Sequence, residues 1–137
     1  MTGSLVDLSR RMYEELWNSG RYEAAGELFH PDFDPAAKIA AIRGYRDMAP
    51  DLHVQVDETI AQDGAVAARS TLTGTDTGGF GGRPPTGRAF RCWMVEVLGF
   101  RDGRIASNWV GADWLGFFVQ LGAVDSPWPA RAAVDDL

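Results

Sequence analysis

Apolar side chains open the chain at helical spacing: Leu5, Leu8, Met12 and Leu16, with Val6, Tyr13 and Trp17 widening the stripe. Arg10, Arg11, Glu14 and Glu15 occupy the opposite face. The pattern predicts an amphipathic helix over 5–18. Asn18-Ser19-Gly20 stops it, with Gly20 placed to close the last turn. A second, short helix is expected over 22–29. His30-Pro31-Asp32 ends it, because the residue before a proline avoids the helical region. Pro35 can open a third helix, which carries Ile39, Ile42, Tyr45 and Met48 and stops near Ala49-Pro50.

From Leu52 the period falls to two. Leu52, Val54 and Val56 alternate with His53, Gln55 and Asp57, the mark of a half-buried strand. Asp63-Gly64 signals a hairpin, and Val66, Ala68, Ser70 and Leu72 alternate along its return strand. After a glycine-rich loop, 88–101 reads as a long strand apolar on both faces: Phe90, Cys92, Met94 and Leu98 on one, Trp93, Val95 and Val97 on the other. Asp102-Gly103 turns into a fourth strand over 104–111. A last helix over 113–121 presents Trp114, Phe117, Phe118 and Leu121. Helices, then four antiparallel strands, then a helix give an α+β class, with the sheet covering the helical layer. One domain is expected over 1–122, followed by a loosely ordered tail over 123–137 rich in Ala, Pro and Asp. The second apolar face of the long strand needs a cover, and a homodimer or homotetramer supplies it.

Composition narrows the function classes. A length of 137 residues with 45% hydrophobic and 23% charged residues suits one ordinary globular domain. A net charge of −6, with no Lys/Arg cluster, argues against nucleic acid or an anionic membrane as partner. No apolar run approaches the roughly 20 residues of a membrane span, and no signal peptide is read at the start. Cys92 is the only cysteine, so no internal disulfide can form, and a reducing, cytoplasmic setting is the default. Cys92 with two distant histidines, His30 and His53, makes no metal site. The 78–82 glycine run is not a phosphate loop, since no Lys-Ser/Thr follows and it joins two strands. Aromatic residues reach 11%; they can fill a core or line a pocket for a flat ligand.

Several segments in series resemble one family. They are the first helix with its Trp17-Asn18-Ser19-Gly20 ending, Gly44-Tyr45-Arg46, and Pro50-Asp51-Leu52-His53-Val54. The 72–78 segment leads into Pro84-Pro85-Thr86-Gly87, Phe100-Arg101-Asp102-Gly103-Arg104-Ile105 runs to Trp109, and Asp113-Trp114-Leu115-Gly116 runs to Gln120-Leu121-Gly122. Their order and spacing over 5–122 are similar to the SnoaL-like polyketide cyclases, a branch of the nuclear-transport-factor-like fold. The resemblance implies a cone-shaped α+β barrel with a pocket between curved sheet and helices, and neither metal nor organic cofactor. It implies intramolecular aldol ring closure on a small, hydrophobic, oxygenated, polyketide-like molecule. It also implies an acid/base Asp near the start of the final helix, at Asp113. The chain departs from the pattern in a shorter 33–44 stretch. It also carries Asp76 and Asn108 where relatives place histidines.

An aldol closure needs a base for the proton beside a carbonyl and an acid for the new alkoxide, and one carboxyl group in a dry pocket can serve both steps. Asp113 is the candidate, though an Asp beginning a helix is also a favoured N-cap. Glu96, the one acid in the apolar run 93–100, alternates with Met94 and Leu98. It is either a second acid/base or substrate acceptor, or a strand residue facing solvent or an Arg. Tyr13 and Asn108 can hydrogen-bond a ligand oxygen or be satisfied core groups. Trp93 and Trp109 can sandwich a planar ring or pack. Trp17, Phe33 and Met94 complete the expected lining, and Phe80 stands at the tip of the glycine loop as a possible lid. Two rivals to the cyclase remain: a hydroxylating or rearranging enzyme of the same fold, and a non-catalytic binder of a hydrophobic molecule.

Overall fold

A computed structural model describes residues 4–128. The first helix, α1 (Leu5–Met12), starts on a capping box: the Ser4 hydroxyl accepts the Asp7 N–H and the Asp7 carboxylate accepts the Ser4 N–H. The predicted helix then continues to Asn18 with a change of form, because Tyr13–Asn18 is a π-helical turn. Its end is tied down from two sides. Arg46 donates to the Trp17 and Asn18 carbonyls at 2.7 and 3.0 Å. The Asn18 amide exchanges two hydrogen bonds with the Val54 backbone at 2.7 and 3.0 Å. Gly20, at φ +66°, closes the turn. A 3-10 turn (Tyr22–Ala24) leads into α2 (Ala25–Leu28), and α3 spans Ala36–Met48. Pro35 stands just before α3, and the Asp34 carboxylate accepts the Ala36 N–H.

The sheet is an antiparallel meander in the order β1 (His53–Gln62), β2 (Ala65–Thr75), β3 (Ala89–Arg101), β4 (Arg104–Ala112). Both predicted hairpins form on Asp-Gly pairs with positive φ: Asp63-Gly64 at 51° and 76°, Asp102-Gly103 at 53° and 74°. Alternation sends Val66, Ala68, Ser70 and Leu72 of β2 inward with Phe90, Cys92, Met94, Glu96 and Leu98 of β3. Gly74 completes that row because a side chain there would stand 2.7 Å from the Phe90 ring. Tyr13, Leu16, Trp17, Leu28, Ile42 and Met48 meet this face and form one core.

Chain order, meander and helical layer agree with the α+β class expected from the sequence. The last helix, α4 (Trp114–Gln120), packs Phe117 into the core, edge-on to Phe90 at 4.9 Å. Among the described residues no helix is long and apolar enough to cross a membrane. Of the tail over 123–137, Val124–128 is exposed and without regular structure. The remainder of that expectation lies outside the described residues.

Candidate functional site

Of the two buried carboxylates among the described residues, Asp76 and Glu96, the second lies in the apolar interior. Glu96 is 0% exposed, carried inward by strand alternation between Met94 and Leu98. Its surroundings supply three donors. The Tyr13 hydroxyl donates to Oε1 at 3.0 Å, Asn108 Nδ2 donates to Oε2 at 3.2 Å, and the Lys38 ammonium donates to Oε2 in a close ion pair. Each donor comes from a different element: the π-turn, β4 and the first turn of α3. Burial and the Glu96 charge together push the Tyr13 phenol far up, so Tyr13 stays a neutral donor. A charge this deep is tolerated only when paired and hydrogen-bonded, and all three partners are needed to replace the lost water.

Lys38 was not singled out by the sequence reading. It is the only lysine in the chain, and its side chain is 9% exposed. Its signal was available: Lys38, Ile42 and Tyr45 lie four and seven positions apart, on one helical face.

Asp113 is half-buried at the end of β4. Its Oδ1 accepts the Gly116 N–H at 2.9 Å, so it does cap α4. Oδ2 has no hydrogen-bond partner among the described residues. The Asp113 backbone pairs with Trp93, three residues along β3 from Glu96; strand rise places the two acidic positions roughly 10 Å apart along the sheet. Cys92, on the inner face, donates to the Asp113 carbonyl at 3.4 Å. Burial pushes its thiol up to about 11, which leaves it unreactive near neutrality.

Residues 7–121 match the family model for SnoaL-like polyketide cyclases. The chain belongs to that family. Among curated relatives it is 28% identical to aklanonic acid methyl ester cyclase DnrD of Streptomyces peucetius, over 90% of this chain and 92% of that one. It is 29% identical to the cyclase of the same name, AcmA, of Streptomyces galilaeus, over 88% and 90%. Among solved structures, AclR of Streptomyces galilaeus, a candidate hydroxylase, aligns with a TM-score of 0.81 at 26% identity, covering 96% of this chain and 88% of its own.

The SnoaL-like fold brings together some of the residues singled out from sequence and separates others. Tyr13, Glu96 and Asn108 form one hydrogen-bonded cluster, with Met94 buried beside it on the same strand face. Trp17 is 5% exposed, stacks on Tyr45 at 6.0 Å, and its indole N–H has no partner among the described residues. Phe33 is half-buried and stacks on Phe29 at 5.1 Å.

Trp93 and Trp109 lie elsewhere. They alternate onto the outer sheet face, 55% and 63% exposed, and do not flank Glu96. Phe80 packs on Tyr45 and Phe118 and lines a separate cleft of about 450 Å³ with Arg83, Leu121 and Val124. Asp76 is 2% exposed and accepts the Gly79 and Thr86 N–H groups and the Thr86 hydroxyl, so it ties the glycine-rich loop together. Among the described residues no three His, Cys, Asp or Glu side chains group as metal ligands.

Proposed function

We propose that this chain catalyses a cofactor-independent aldol-type cyclisation, or a related isomerisation, of a hydrophobic, oxygenated, polyketide-like molecule. The observation that carries the reading is the buried Glu96 carboxylate, held by Tyr13, Lys38 and Asn108 in an apolar interior, in a chain of this family. Relatives named as aklanonic acid methyl ester cyclases support ring closure as the reaction.

Asp113 acts as acid/base. Gly116 fixes one of its oxygens, and the other takes a proton from the carbon beside a substrate carbonyl. The C–H electron pair moves to that carbonyl's oxygen. The enolate carbon then attacks a second carbonyl carbon of the same molecule, and Asp113 returns its proton to the new alkoxide. Atoms balance within the substrate, so the product is an isomer. In this reading the cluster around Glu96 orients the carbonyls and holds the flexible substrate in a near-attack geometry. The setting proposed is cytoplasmic.

Incubation with aklanonic acid methyl ester, followed by chromatography with mass detection, tests this. The expected product has unchanged mass and altered retention, and Asp113→Asn abolishes its formation while substrate binding persists. Substrate that binds and is returned unchanged by the wild-type protein would favour the second reading, a non-catalytic binder. One observation supports that rival: Glu96 already has three protein donors and needs none from a substrate.

A further inference from the structure

We propose that Lys38 is the group that binds the reacting carbonyl oxygen and stabilises the negative charge that develops on it; the inference rests on the cyclase reading above. The ammonium has three N–H donors, and only one has a protein acceptor among the described residues, Glu96 Oε2. Two remain for a ligand oxygen. The side chain is 9% exposed, which weakens the competition from water that a surface lysine faces. Glu96 is itself immobilised by Tyr13 and Asn108, so it holds the ammonium in one place before substrate arrives. Pre-placed charge of this kind is what stabilises a developing oxyanion without reorganisation.

Folding needs Lys38 only because Glu96 is buried, and does not explain why the pair as a whole is present. A buried ion pair can generally be replaced by apolar side chains of similar volume without loss of stability. A cation in the first turn of a helix also opposes the macrodipole. The other twelve basic residues of the chain are all arginines, and the single lysine stands against the single fully buried glutamate. Among the described residues the cluster has no second cation in contact with Glu96, so the Glu96 charge is balanced by Lys38 alone. In the reaction, Asp113 removes the proton, the electron pair moves onto the oxygen held by Lys38, and the charge leaves that oxygen when the new carbon–carbon bond forms. Lys38 keeps its own protons throughout. The ligand chemistry this selects is an enolisable carbonyl, whose anion the Lys38 ammonium favours over its neutral form.

The probe is 1,8-dihydroxyanthraquinone, whose colour changes when a hydroxyl group loses its proton. Binding is read by tryptophan quenching, and ionisation by absorbance across a pH series. Wild-type protein should lower the probe's ionisation pH by at least one unit, which is tenfold tighter binding of the anion. Asp113→Asn and Lys38→Arg should keep most of the shift. Lys38→Met should remove it, and the double variant Lys38→Met/Glu96→Gln, which leaves no buried charge unpaired, should fold and also lack it. A shift that survives in the double variant overturns the proposal. Binding to wild type with no shift also overturns it while leaving the cyclase reading intact. Absence of probe binding to wild type removes both.

Discussion

At the residue scale, the interior is organised around one charge pair. Breaking a buried pair from one side leaves an uncompensated charge, at a cost of about 3–5 kcal/mol, whereas removing both charges is close to neutral. Chemical denaturation should therefore show Lys38→Met alone much less stable than Lys38→Met/Glu96→Gln. Equal losses in the two would mean that the ion pair is not isolated from water. Cys92 gives a second prediction. The unfolded chain releases the thiol proton near the ordinary 9.0, the folded chain only near 11, because burial disfavours the thiolate. The folded state thus holds the extra proton in between. Stability from this group is complete below pH 9 and is lost as pH rises toward 11. A Cys92→Ala variant should show a shallower alkaline decline, and an unchanged slope would contradict the assignment. The capping role of Asp113 was legible from sequence because an Asp before an apolar helical stripe is a recognisable cap, whereas its acid/base role comes from the family resemblance alone. Lys38 was passed over because lysine normally leaves its ammonium in water, and only its place on the Ile42–Tyr45 face pointed inward.

At the scale of elements, the periodicities carried most of the fold. The helix over 5–18, the four strands and both Asp-Gly hairpins occur where the pattern placed them, because each uses a local signal that tertiary packing reinforces. The π-turn over Tyr13–Asn18 could not be read that way. It depends on Arg46 and Val54, which are distant in sequence and satisfy the carbonyl and amide groups at its end. Arg46→Ala should leave two part-buried carbonyls without that donor and lower stability by about 1–3 kcal/mol, measured by urea unfolding. Because the same turn positions Tyr13 and Trp17, ligand affinity should fall with it; full affinity in Arg46→Ala would show that the turn does not shape the site. Strand parity already separated Trp93 from Glu96. What parity could not say was which face of the strand lay inside, since both faces are apolar.

At the scale of the whole molecule, the sheet has a buried concave face and an outer face that exposes Ile60, Trp93, Val97 and Trp109. Exposed apolar surface of that kind on a sheet invites a cover, and a homodimer or homotetramer joined through this face is the proposed assembly. Sedimentation velocity should give a species larger than one chain. Trp109→Glu should shift it to monomer, and a monomeric wild type would contradict the assembly.

The most direct test of the central claim is a crystal structure of the Asp113→Asn variant with aklanonic acid methyl ester bound. The ligand is expected between the sheet and the helices, with one carbonyl oxygen in hydrogen-bond range of the Lys38 ammonium and a reacting carbon facing residue 113. A ligand seated instead in the outer cleft by Phe80 and Phe118, with the Glu96 cluster undisturbed, would contradict it.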